Sequence, residues 1–496
     1  MFAILNENLS RKFRLIYLAF ALLIALAFDF FFWDVQVFGL GFCLFVSLYT
    51  LGFTLITFLS KQLHQPKALW LLLPIFIFSL DILLLNNEFV TGLVPLLVAI
   101  LLLVYPFLLT LRNPEKMKFD FLRLKFLANF SKAFGKFRQM FNDLDFAHKD
   151  KNNDLYKKIL VGVLVSVPIL FVFLALFLSA DPVFADKVHN LFDFNIEPTI
   201  VIRIFRTIFI ASALAGFFYV LIDTIHEIKY RKEKSLKIDK TISAVVLTLI
   251  NVLFASFVII QLQYLFGSTS FMVNNNINFA DYARQGFFQL AWVIVLASII
   301  LIIFYKSASD HGSHVLLKLL KIFLILQVAV IAMSALKRMN LYQDAYGFTT
   351  MRLYVEWFIY FCMAILTFTA VSLSIDFEFR KFFNVTVVLG IAALCVVSSI
   401  NVDRMIASKN VDRFLNENKE IDMYYLSELS TDALPEVLKV NTPFILDKVK
   451  NSDTSGGVNP FYDAKDTIIN KWKEEYKNES WKEFNFSVDK LWKLQN

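Results

Sequence analysis

The chain has 496 residues, 57% of them apolar and 18% charged, with 56 Phe and a net charge of +7. Soluble proteins are nearer half apolar and a quarter charged, and long soluble chains split into domains with polar surfaces. The composition therefore excludes an ordinary soluble protein and requires lipid as the solvent for much of the chain.

Backbone N–H and C=O groups find no water inside a bilayer, so spanning segments are helices or closed barrel strands. Barrel strands are about ten residues long and alternate in polarity. The apolar runs here are about twice that length and apolar on every face, so they are helices. The fold class is all-α: a polytopic transmembrane bundle of about eleven helices with a mainly helical C-terminal extramembrane tail.

In chain order, Arg11, Lys12 and Arg14 precede the first run, 15–33, and place the N-terminus in the cytoplasm. That run is too long for a signal-peptide core and lacks a small-residue cleavage site, so it reads as a retained helix. Further spans follow at 37–59, 68–85 and 90–111, completing an N-terminal membrane region, 1–111. Pro74, Pro95, Pro106 and Pro168 are expected to interrupt helices.

The segment 112–158 holds 12 Lys and Arg against 6 acids, as the cytoplasmic side should. Within 119–141, Leu122, Phe126, Phe130 and Phe134 recur every fourth residue among Lys125, Lys132, Lys136 and Arg138. Such a helix either lies in the inner headgroup layer with its Phe side buried or packs on the bundle from the cytoplasm.

A core membrane domain, 159–400, then carries spans at 159–179, 200–222, 241–266, 284–305, 315–336, 354–375 and 382–400. Basic connections at 61–67, 229–240, Lys306 and 380–381 face inward. The acidic 181–197 and the Asn-rich 274–278 face outward. An odd helix count puts the tail, 401–496, outside the membrane; it has 17 acids and 14 bases, without a basic excess. Trp472, Trp481 and Trp492 give that tail apolar surface for a small folded domain.

Most catalytic constellations are absent: no phosphate-cradling loop, dinucleotide fingerprint, zinc-binding HExxH helix or serine nucleophile elbow occurs. His311 and His314 form a close pair in a short turn and read as solvated loop residues. Cys43, Cys362 and Cys395 all lie in apolar runs, as small hydrophobes in helix packing. No cofactor, metal or catalytic residue is expected, and nucleic acid binding is disfavoured because the basic segments read as topology signals.

Asp81 lies inside the third run, where a lone carboxylate is costly. It is either neutral, hydrogen-bonded in the bundle, or close enough to the outer interface to reach water, and a proton or cation role is a further reading.

The anomaly is positive charge on the low-positive side. Arg203, Arg206, Arg284, Lys337, Arg338 and Arg352 all fall at outer helix ends under this orientation. Arg203 and Arg206 are three apart and share a helix face. Arg338 and Arg352 flank one outer hairpin, with Tyr342, Asp344, Tyr346 and Glu356 nearby.

Each guanidinium alone could snorkel to lipid phosphates or pair with Asp281, Asp344 or Glu356. The sharper expectation is an anion-binding rim on the sixth to tenth spans, built from Arg203, Arg206, Tyr264, Tyr282, Arg284, Arg338, Arg352 and Glu356. Guanidinium matches carboxylate and phosphate geometrically, so the expected ligand is an anionic lipid headgroup or envelope polymer. Alternatives are a transporter or lipid flippase, and a membrane sensor acting through a partner.

The runs 261–267 (Gln261, Tyr264, Gly267) and 282–290 (Tyr282, Arg284, Phe287) carry a family resemblance. With them go 179–184 around Asp181 and Pro182, 341–349 followed by Arg352, 422–429, and 432–435. Together they resemble an uncharacterised bacterial multi-pass membrane family, domain of unknown function 4173. The resemblance covers residues from about 159 to the end and implies no assigned activity, so no catalytic residue is carried over. It implies that the second half is the core unit, with 112–158 as a boundary.

Overall fold

The computed structural model describes residues 2–110, 177, 198–223, 240–266, 287–308, 315–440, 460–476 and 480–493. The amphipathic segment at 119–141, the span expected at 159–179, the loops carrying Asp181, Asn274 and the His311–His314 pair, and the tail turn at 452–457 lie outside these residues.

The membrane helices are α1 (Phe2–Phe32), α2 (Leu40–Leu59), α3 (Leu72–Leu84), α4 (Val94–Thr110), α5 (Pro198–Asp223), α6 (Lys240–Phe266), α7 (Phe287–Ala308), α8 (Val315–Tyr346), α9 (Thr350–Ser374) and α10 (Phe379–Ser399). Among the described residues, nine helices are long and apolar enough to cross a membrane, and α7 contributes a shorter apolar stretch, Gln289–Tyr305. The chain is an all-α, multi-pass membrane bundle. Large side chains such as Leu51, Leu55, Phe58, Phe209, Leu249 and Trp292 stand exposed on it, a surface that water would not tolerate but hydrocarbon accepts.

Two of the prolines interrupt nothing. Pro74 falls in the first turn of α3, directly after a 3-10 turn, Pro66–Leu71. Pro95 opens α4 directly after a π turn, Phe89–Leu93. At these junctions the regular ladder is already broken, so the missing N–H costs little. Only Pro106 lies inside a described helix, with the Thr110 hydroxyl donating to its carbonyl.

The described membrane helices form two cores. The first joins α1–α4 and α5 around Tyr17, Phe20, Tyr49, Phe53 and Phe218. Phe218 lies 5.3 Å from Phe53 and 5.9 Å from Phe20 between ring centroids. Gly52 makes this possible, since a Cβ there would lie 2.6 Å from the Phe20 ring. The second core joins α6–α9 around Leu324, Ile331, Ala335 and Ile359. Helix α10 belongs to both: Phe382 stacks on Tyr305 at 4.4 Å in the second, while Ile391, Leu394 and Cys395 pack on the first.

The tail has a third core, Val402, Ile406, Phe414, Leu426, Leu434, Val437, Trp472 and Leu491, into which Leu353 of α9 inserts. Its helices are α11 (Val402–Glu417), α12 (Met423–Glu428), α13 (Leu434–Val437), α14 (Pro460–Glu475) and α15 (Phe486–Trp492). Local signals place them: Asn401, Asp422 and Asn485 cap helix N-termini, and Asn418 closes α11 in the left-handed conformation.

The tail covers one end of the bundle and touches both membrane cores. Asn485 Nδ2 donates to the Ile82 and Leu85 carbonyls at 2.8 Å each, and the Asn86 N–H donates to Asp432 Oδ2 at 2.9 Å. On the other core, Arg413 donates to the Gln343 and Asp344 carbonyls at 2.8 and 2.6 Å. Asn410 pairs reciprocally with the Phe348 backbone. These side chains satisfy helix-end groups that would otherwise lack partners. They also explain why α8 reaches Tyr346 instead of ending near 336: the tail caps its last carbonyls.

Candidate functional site

The covered end collects the C-termini of α1, α3, α8 and α10 and the N-termini of α2, α4, α5 and α9. Every described arginine of the expected rim stands at this end.

Arg203 and Arg206, one helical turn apart in α5, both reach Asp29 near the end of α1. Arg203 Nε and Nη2 donate to Asp29 Oδ2 at 2.9 and 2.7 Å, and Arg206 Nη2 donates to Oδ1. Two guanidiniums thus share one carboxylate and leave a net positive charge. Both lie over the Trp33 ring, at 5.2 and 4.7 Å from its centroid, and Arg206 also lies 5.8 Å from the Phe28 centroid. The Arg203 side chain is 40% exposed and Arg206 28%, against 11% for Asp29. The Arg206 Nε–H is buried with no acceptor.

The remaining rim residues belong to the second core. Arg352 donates to the Gly347 carbonyl at 2.6 Å and lies over the Tyr342 ring at 4.0 Å. Glu356, one turn further along α9, accepts from Gln343 Nε2 at 2.9 Å and from the Tyr360 hydroxyl. Arg338 points the other way, toward α6, where it donates to Gln261 Oε1 at 3.3 Å. Tyr282 and Arg284 lie outside the described residues, and Tyr264 stands on α6 with its side chain outside them. Arg338 and Arg352 flank a tight connection, Gly347 to Thr349, with Tyr342, Asp344 and Tyr346 on α8 itself.

Asp29 was not among the partners considered from the sequence. It is an acid near the end of one apolar run, while Arg203 and Arg206 stand near the start of another, both at the tail-covered end. Matching their depths would have paired them.

The partners that make a polar seam between α6 and α8 were also missed. Asn251 Nδ2 donates to the Leu320 carbonyl at 3.0 Å, and Gln327 Nε2 donates to the Asn251 carbonyl at 3.2 Å. Ser334 donates to Gln261 Oε1 at 2.8 Å. Near the opposite end of α8, Lys321 is 2% exposed and donates to the Phe304 carbonyl of α7 at 2.8 Å. From Lys321 to Arg338 the seam runs about 25 Å along the axis, most of the ~30 Å hydrocarbon thickness. On α8, Gln327, Ser334 and Arg338 recur at spacings of seven and four, which puts them on one face.

A family model described as a domain of unknown function (DUF4153) matches residues 68–440. This corrects the expected number, 4173: the helix-end motifs pointed to an uncharacterised domain of this kind but not to the right one. No curated protein and no solved structure matches the chain.

Proposed function

The chain belongs to the family described as domain of unknown function (DUF4153), and from that premise we propose that it binds an anionic group at the tail-covered end of its membrane bundle. The ligand class is a lipid headgroup or an envelope polymer carrying phosphate or carboxylate. The observation that carries this reading is Arg203 and Arg206 sharing the single carboxylate of Asp29. One unit of positive charge is left over at the water-facing end of a helix pair, beside the amphipathic ring of Trp33. Spare guanidinium donors there suit a phosphate or carboxylate. Arg338, Arg352 and Glu356, with Tyr264, Tyr282 and Arg284, extend the proposed rim. The proposed setting is a bacterial inner membrane with the N-terminus in the cytoplasm and the tail outside.

The test is retention of anionic lipid by the full chain in nanodiscs, read by native mass spectrometry. Phosphatidylglycerol should be enriched over phosphatidylcholine on the unmodified protein, and the enrichment should fall about tenfold, or 1.4 kcal/mol, in the Arg203→Gln/Arg206→Gln variant. Equal retention by both proteins sinks the proposal. Labelling Gly457→Cys in intact cells with an impermeant thiol reagent tests the orientation.

A second reading, transport or lipid flipping, is favoured by the seam of Lys321, Gln327, Asn251, Gln261 and Ser334. Polar side chains across the hydrocarbon are what a pathway needs; interhelical amide pairs also serve simply as glue.

A further inference from the structure

In the first core, α3 is tied to α10, the helix both cores share, by a polar latch distinct from the arginine rim. Asp81, 5% exposed in the last turn of α3, faces the last turn of α10. Asp81 Oδ2 accepts from Ser398 Oγ at 2.6 Å and from Ser399 Oγ at 3.1 Å. Ser398 Oγ also lies 3.0 Å from the Cys395 carbonyl.

The electrostatics of this place oppose a bare anion. Both α3 and α10 end here, and a helix C-terminus carries about half a negative charge on its free carbonyls. Neither lysine nor arginine pairs with Asp81 among the described residues. The titratable groups around it are acids or neutral. Cys43 on α2 donates its thiol to the Ser79 carbonyl, and Cys395 lies on α10. Beyond the helix end come Asp432 and Tyr476, both bonded to Asn86, and then Asp403, which feels the charge of Glu88.

The hydrogen bonds are consistent with a proton here. The Ser398 hydroxyl has one hydrogen and two acceptors within reach, Asp81 Oδ2 and the Cys395 carbonyl. A proton on Asp81 donating to Ser398 Oγ would leave that hydrogen to the carbonyl.

We propose that Asp81, Ser398 and Ser399 form a binding site for one small monovalent cation, a proton or an alkali ion, where α3 of the first core packs on the shared helix α10. Helix C-terminal ends coordinate such ions inside membranes, and here a carboxylate and two hydroxyls stand at two of them. The tail closes the site from the covered end, because Asn485 and Asp432 bind the turn that follows α3. No bond breaks or forms other than the carboxyl O–H when the ion is a proton.

Infrared difference spectra of the full chain in nanodiscs test this. One series varies pH at fixed salt; the other exchanges choline for sodium at fixed pH. A carboxylic C=O band that responds to pH and is lost in Asp81→Asn identifies the proton. A carboxylate band that shifts on sodium addition and is lost in the same variant identifies the alkali ion. If Asp81→Asn leaves both series unchanged, the site is overturned. Ser398→Ala keeps the carboxylate and removes one hydroxyl, and it should shift whichever band responds; an unmoved band overturns the role of the latch.

Discussion

Arg203 in α5 and Asp29 in α1 are 174 residues apart in sequence, yet Nε and Nη2 of the arginine both donate to a single oxygen of the carboxylate. Arg206 takes the other oxygen. Both carboxylate oxygens are engaged, and the cluster keeps a positive charge.

Replacing Asp29 therefore has two opposite effects. Asp29→Asn leaves two neighbouring guanidiniums without a counter-charge, and should lower stability by about 1–3 kcal/mol, toward the low end because Arg203 is 40% exposed and screened. The same change raises the local charge, so anionic lipid retention should increase. Thermal unfolding in nanodiscs and native mass spectrometry read the two effects. A parallel loss of both would mean that the cluster is only structural.

Gly39 fixes how closely the tail approaches α2. The Leu40 N–H donates to the Phe484 carbonyl at 3.0 Å, and a Cβ on Gly39 would lie 2.5 Å from that oxygen. Backbone cannot yield there as a flexible side chain would. Gly39→Ala should cost about 1–3 kcal/mol and make the last tail helix easier to cleave, measured by limited proteolysis. Unchanged cleavage would show that the tail tolerates a shift.

The pH dependence of the tail follows from three carboxyls. Burial raises Asp432 above the usual range, opposed by the Ser487 and Asn86 hydrogen bonds. Burial raises Asp403 too, against hydrogen bonds from Ser430 and with the charge of Glu88 adding to the shift. An acid raised in the folded state costs stability once pH exceeds its folded value, and the cost is relieved as pH falls from there to the ordinary aspartate range. Burial also pushes Glu436 up, but hydrogen bonds and charges from Lys439 and Arg404 outweigh it and hold it low. Its contribution is present above the ordinary glutamate value and lost as pH falls through its folded value. Tail stability should therefore rise on mild acidification and fall on strong acidification. Asp432→Asn keeps an acceptor for Asn86 and should flatten the first limb, as amide hydrogen exchange across pH would show.

Lys321 separates structure from transport. It is buried and donates to one carbonyl, with no carboxylate paired to it among the described residues. Lys321→Met fills the same space without a charge and should leave stability equal or higher by about 1–4 kcal/mol. A rise in melting temperature together with a lost lipid-scrambling signal in vesicles would favour the pathway reading. A rise with no other change leaves the seam as packing.

Much of the fold was legible in the sequence, because a long apolar run in lipid has only one stable backbone solution. The ends of α2, α5, α6 and α9 fall within about four residues of the expected spans, since a span boundary is a local change of polarity. The end of α8 was not legible, because Arg413 of the tail, 70 positions from Gln343, caps it. Arg203 and Arg206 were found as a pair on one face, but their acid was missed because nothing local ties α1 to α5. The buried amides of the seam were equally silent, since in an apolar run an Asn or Gln does not reveal which helix it faces.

The sequence alone determined the solvent and the helical class, and it marked Arg203, Arg206, Arg338 and Arg352 as standing at helix ends, all of them properties of residues within a turn or a span of one another. The tertiary structure alone decided that two guanidiniums share Asp29, that two membrane cores share α10, and that one tail covers both. Those facts rest on contacts such as Asp81 with Ser398, 317 positions apart. Lipid drives every apolar run to become a helix, but it does not select which helices pack together. That selection comes from packing shape and a few polar pairs, which exist only once the chain has folded.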